Sequence, residues 1–217
     1  MPLLCAAQLR ICIRPVFNGV ALRLTNGKYI TPHGDTVSID AFRFYITNLS
    51  IAGDGATTAT YNHEAWLWDA EDTTTWTLQT NISSVKHATE LRFLIGVDSL
   101  HNVSGANSGD LDPIKGMYWA WNSGYIMARL EGRSSSCPTR HHAFEFHIGG
   151  YMPPFATSRN VQLSIPAGTD QPIIILADVA AWFSGNLDLK TTNSVLIPGK
   201  DAAVMAGRYA RMFSIQH

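Results

Sequence analysis

The 217-residue sequence predicts a mainly-β fold, one antiparallel β-sandwich domain over residues 1–217 with long loops and one or two short helices. Three observations carry that expectation. Apolar and polar residues alternate with a period of two in eight short stretches, each bounded by Gly, Asn, Asp or Ser. Only two stretches show helical patterning. The composition, 46% hydrophobic and 15% charged with 17 Gly and 10 Pro, is too apolar and too rich in turn formers for a disordered chain, a coiled coil or a collagen-like repeat. Sandwiches of this length fold as one unit.

In chain order the strand stretches are 11–24, 42–51, 65–69, 90–97, 124–130, 143–148, 161–165 and 173–177. Stretches 42–51 and 90–97 both alternate between turn formers and are read as core strands. Alternation puts Phe42, Phe44 and Ile46 on one face. A short helix is expected over 178–183, with Asp178 as its N-cap, and an Ala/Met-rich one over 201–213. The region 96–132 stands apart, because a loop so long and so rich in side-chain oxygens is uncommon unless it is functional or braced.

Sixteen Lys and Arg against seventeen Asp and Glu leave a net charge of −1 with no basic run, so nothing here suits a phosphate backbone or any nucleic acid. The longest apolar stretches, such as 173–177, are strand-sized, far short of the roughly 20 residues of a membrane-spanning helix. Residues 1–8 are too short and too uncharged for a full export signal and are read as the remnant of one or as an irregular start. Cys5, Cys12 and Cys137 allow one disulfide and a spare thiol, without the spacing of a zinc or redox motif. No nucleophile elbow, H-E-x-x-H, phosphate loop or dinucleotide fingerprint occurs, so the chain is not expected to be an enzyme.

Two groups of residues point to metals. Asp98, Asn102, Asn107, Asp110 and Asp112 place oxygen donors close together in a Gly-containing loop, as a calcium ion requires. The same residue types also build turns by bonding to their own backbone. The eight histidines include His63, just before Trp66 and Trp68, His101 in the long loop, and His141, His142 and His147 around Phe144 and Phe146. Imidazole is a common ligand for copper, zinc and nickel. On a regular strand Trp66 and Trp68 share one face, and His63, Ala65, Leu67 and Asp69 the other. Joint ligation by His63 and Trp68 therefore needs a bulge or turn at 62–64.

Several segments together resemble the MbnP-like family of periplasmic copper-binding proteins, which has members in methane-oxidising bacteria. They are Phe42-Arg-Phe-Tyr-Ile-Thr-Asn-Leu49, Phe93-Leu-Ile-Gly-Val-Asp98, Asn102-Val-Ser-Gly105, Leu111-Asp-Pro113, Gly116-Met-Tyr-Trp-Ala-Trp-Asn-Ser-Gly-Tyr125, Leu130-Glu-Gly132, Phe146-His-Ile-Gly-Gly150 and Met212-Phe213. The resemblance implies a secreted or periplasmic β-sandwich with a Cu(I) site made from two histidines and a tryptophan oxidised to kynurenine. It also implies a di-haem partner of the cytochrome c peroxidase type that performs the oxidation, and a calcium site in some relatives. Ala65-Trp-Leu-Trp-Asp69 puts Trp66 and Trp68 where copper-binding members carry the modified residue, with His63 five residues before Trp68; the second histidine is His101 or His147. Indole offers only an N–H donor, whereas opening it to kynurenine creates an amine and a carbonyl. The function expected from the resemblance is copper acquisition or handling. The alternative is a secreted interaction module with structural calcium, held by Asp98, Asn102, Asp110 and Asp112, and no copper site.

Overall fold

A computed structural model describes residues 8–53, 58–61, 65–83, 88–122, 124–169 and 172–216. Strand β1 (Gln8–Phe17) turns into β2 (Val20–Ala21) through Asn18 and Gly19, at φ 49° and 77°, the pair that a tight hairpin turn favours. Next come β3 (Tyr29–Ile30), β4 (Thr36–Gly53), β5 (Thr58–Thr60), β6 (Trp66–Asp69), β7 (Thr77–Ser83) and β8 (Ala88–Ile95). A short helix α1 (Ser99–Val103) opens the long loop, which returns to the sheet through β9 (Tyr118–Trp119) and β10 (Gly124–Ser134). The chain continues with β11 (Ala143–Gly149), β12 (Arg159–Ser164), β13 (Ile173–Asp178), β14 (Ser194–Val195), α2 (Lys200–Tyr209) and β15 (Phe213–Ile215). Each of the eight stretches expected to be a strand overlaps at least one, with bounds that differ by several residues.

The strands form two sheets. One has the order β15-β13-β1-β2, with β7 also on β1; the other runs β12-β8-β4-β10-β11-β14, with β3, β5 and β6 on β4 and β9 on β10. Pairing is antiparallel except at β1–β13, in register from Ile11 with Ile173 to Val16 with Asp178, and at β11–β14. Phe42, Phe44 and Ile46 share one face as expected, and that face is turned inward. They pack with Phe93, Ile95, Leu130, Phe144 and Phe146 of their own sheet and with Ile11, Ile13, Ile173 and Ile175 of the other. Asp178 caps a 3₁₀ turn over Val179–Phe183 by accepting from the Ala180 N–H. Helix α2 stops at Tyr209 rather than running to residue 213, because Phe213 to Ile215 pair with β13. The thiols of Cys12 and Cys137 are free, and burial, with help from Asp35, pushes that of Cys137 up to about 11.

The outer face of the larger sheet is not simply solvated. Tyr45, Leu67, Tyr125 and Met127 point outward into a second, smaller core that Val97, Leu111, Met117 and Trp119 of the long loop complete. The loop thus folds back over the sheet, with apolar residues on its underside. This layer positions every loop residue considered below.

Candidate functional site

Strand β6 pairs regularly with β4, Trp66 opposite Ile46 and Asp69 opposite Arg43. As the alternation requires, Trp66 and Trp68 point into the sandwich while Ala65 and Leu67 join the outer core. Trp68 is fully buried: its Nε1 donates to the Ile13 carbonyl at 3.3 Å, and its ring stacks on Phe44 at 4.8 Å and beside Trp76 at 6.1 Å. The Trp66 Nε1 donates to the Thr75 carbonyl at 3.0 Å. Both indole N–H groups are therefore spent on backbone oxygens, and no described histidine is among their hydrogen-bond or ring partners. His63, and the bulge considered at 62–64, lie outside the described residues.

In the long loop each oxygen-bearing side chain has its own bracing task. Asp98 caps α1, accepting from the His101 N–H at 3.0 Å, and its other oxygen meets the His101 Nδ1 at 2.9 Å. Buried Asn102 donates to the carbonyls of Val97 and Asp98 and accepts from the Tyr125 N–H at 3.0 Å. Asn107 donates to the Gly105 carbonyl at 2.8 Å. Asp110 accepts from the Leu67 N–H at 3.0 Å through its carboxylate and from the Tyr45 hydroxyl through its carbonyl, stitching loop to strand. Burial, followed by the charges of Tyr125, Asp110 and Asp112, raises the Tyr45 hydroxyl above its ordinary range, so it stays a donor. Asp112 accepts from the Ile114 N–H at 2.9 Å. Among the described residues no three His, Cys, Asp or Glu side chains converge on one point, so the four residues considered for calcium are dispersed over separate turns. Asp110→Ala should cost about 1–3 kcal/mol by orphaning the buried Leu67 N–H. Chemical denaturation should give the same loss in calcium as in chelator; a loss seen only in calcium would mean that an ion holds the loop.

His147 sits on the outward face of β11 in a row that crosses four strands: His147 faces Arg129, Arg129 faces Arg43, and Arg43 faces Asp69. Its Nε2 is 2.5 Å from a Glu131 carboxylate oxygen, which also accepts from Arg129 Nε at 2.8 Å. The hydrogen bond to His147, then the nearby Arg129, holds the Glu131 carboxyl below its usual range despite partial burial. Arg43 pairs with Asp69 at 2.9 Å, and both arginines reach loop carbonyls, Lys115 and Gly116, at 3.4 Å. Two separate motifs, Leu130-Glu-Gly132 and Phe146-His-Ile-Gly-Gly150, thus meet at the Glu131–His147 contact, which sequence reasoning did not anticipate. The signal was present: both side chains fall at outward positions of their strands.

The MbnP family model matches residues 6–198. The chain belongs to the MbnP family. Among solved structures it is similar to MbnP from Methylosinus trichosporium, with a TM-score of 0.62 and 10% sequence identity over 85% of this chain and 80% of that one, a likeness of fold. Among curated proteins no sequence matches this one significantly. Among the described residues of this family member, donors suited to a soft metal ion are few. His101 supplies an imidazole of the right type, with Nδ1 anchored and Nε2 making no hydrogen bond among the described residues. The Trp66 and Trp68 indoles, unmodified, supply nothing.

Proposed function

We propose that this chain is an exported copper-binding protein of the MbnP type, acting in the periplasm or at the cell surface in copper acquisition or handling, and not as an enzyme. In this reading Cu(I) is held by histidine imidazoles, His63 with His101 or His147, and by a tryptophan that a di-haem, peroxidase-like partner oxidises to kynurenine. The observation that carries the reading is the state of His101. A carboxylate bound to one imidazole nitrogen fixes the ring and its tautomer and leaves the other nitrogen for a metal. Asp98 does this for His101, and the same carboxylate caps α1 by accepting from the His101 N–H. His147 is the weaker of the two, because its Nε2 is already engaged by Glu131.

The test is a Cu(I) titration against a competing chelator, on protein produced with and without the di-haem partner. Protein made with the partner should bind more tightly, and His101→Ala should weaken binding at least tenfold, about 1.4 kcal/mol. Equal affinity in the parent, His63→Ala and His101→Ala would overturn the histidine assignment. Absence of Cu(I) binding in protein made with the partner would overturn the copper reading altogether.

A further inference from the structure

We infer that the groove between residues 150–155, Asn122 and Pro198 docks a proline-rich segment of a partner protein in the polyproline II conformation. The groove has a volume of about 280 Å³ and is walled by Tyr151, Met152, Pro153, Phe155 and Pro198, with Asn122 on its edge. Met152 is 67% and Phe155 42% exposed, and so are Trp121 at 63% and Ile197 at 64%, each next in sequence to a lining residue. Large apolar side chains scattered singly over a surface need no explanation, but gathered around one groove they mark an interaction site.

The groove is preformed. Gly150, at φ 115°, brings its loop against residue 198, where a Cβ on Gly150 would stand 2.9 Å from the Cβ of Pro198. Buried Thr157 closes the same loop, its N–H and its hydroxyl both donating to the Gly150 carbonyl at 2.9 Å. The Tyr209 hydroxyl in turn donates to the Thr157 carbonyl and ties the loop to α2. The loop is thus pinned at its base while Met152 and Phe155 belong to neither core. A partner that enters it has little ordering of this chain to offset.

The polar groups decide the occupant. Among the described residues that line the groove there is no Asp, Glu, Lys, Arg or His, so a charged motif finds no counter-charge in it. Besides apolar walls it offers N–H donors: the Trp121 indole and the Asn122 side-chain amide make no hydrogen bond to a described residue. A polyproline II helix matches both features. It has no internal hydrogen bonds, so its carbonyls seek donors, its prolines bring no N–H that needs an acceptor, and its rings pack in aromatic-lined grooves. A docking strand needs a sheet edge, whereas this groove is lined by side chains from loops. An amphipathic helix satisfies its own carbonyls and leaves both donors unmatched.

The test is fluorescence anisotropy of a fluorescein-labelled decaproline peptide titrated with the full chain, beside a labelled Gly-Ser peptide of equal length. Decaproline should bind saturably and the Gly-Ser peptide should not. Trp121→Ala and Phe155→Ala should each weaken binding about fivefold or more, as truncation of an aromatic anchor does. Trp121→Phe keeps a ring but loses the N–H, so its loss should be smaller than that of Trp121→Ala. Val20→Ala, at 64% as exposed as Trp121 but on β2 in the other sheet, should change nothing. The inference is overturned by no decaproline binding up to about 1 mM protein, by equal binding of both peptides, or by binding that Trp121→Ala and Phe155→Ala leave intact. Sedimentation velocity of the chain alone covers the rival occupant: dimers dissolved by those two substitutions, without decaproline binding, would make the groove an interface between two copies.

Discussion

Alanine at Gly132 should destabilise the protein by at least about 3 kcal/mol, or prevent folding outright, although it adds a single methyl group. Gly132 lies in β10, the strand between β4 and β11, where the pairing with β4 shifts register after Glu131. A Cβ at this position would stand 2.1 Å from the Ser38 carbonyl oxygen and 2.5 Å from Cζ of Phe144. The first neighbour is backbone in an eighteen-residue strand that carries most of the sheet, and the second is a fully buried ring. Neither can move without opening the sheet, so the methyl group forces strand separation rather than a rotamer change. Gly207→Ala in α2 is the matched control, since nothing lies within 4 Å of its Cβ position. Alanine there should be neutral or stabilising by up to about 1 kcal/mol, as helix propensity dictates. Urea denaturation of the two variants beside the parent decides the matter; a Gly132→Ala loss below about 1 kcal/mol would show that the sheet yields.

Local chemistry made the strands legible in the sequence, and non-local pairing made the rest opaque. The alternation at Phe42, Phe44 and Ile46 identified the strand and grouped those side chains on one face, and Asp178 announced its cap. Strand β7 was missed because Thr-Leu-Gln-Thr-Asn-Ile-Ser lacks a strong apolar face. The parallel β1–β13 ladder joins residues some 160 positions apart, and period-2 patterns carry no register between such distant segments. The outer core was hidden for a related reason. Tyr45, Leu67 and Met127 occupy positions that alternation assigns to solvent, and only the folded-back loop explains their burial. At the candidate site, the facing of Trp66 and Trp68 was readable from the strand period. The use of Asp98, Asp110 and Asp112 as caps and stitches depends on which backbone N–H each one meets, and spacing alone leaves turn building and cation binding equivalent.

Trp68→Ala should cost about 3–5 kcal/mol, the loss expected when a large buried aromatic leaves a cavity that its surroundings cannot close. The ring is clamped by Phe44, Phe42 and Trp76, and its N–H ties β6 to the opposite sheet through the Ile13 carbonyl. Its removal empties the space between the sheets and breaks the hydrogen bond to the Ile13 carbonyl at once. Trp68→Phe separates the two contributions: it keeps a ring against Phe44 but drops the hydrogen bond, so the loss should fall to about 1–3 kcal/mol. It also separates structure from ligation. If Trp68 serves as a core brace, Trp68→Phe should lower stability by that amount and leave Cu(I) affinity unchanged in protein made with the oxidising partner. The opposite outcome, parental stability with copper binding lost, would make Trp68 a ligand and would require the sheets to part around it in the mature protein.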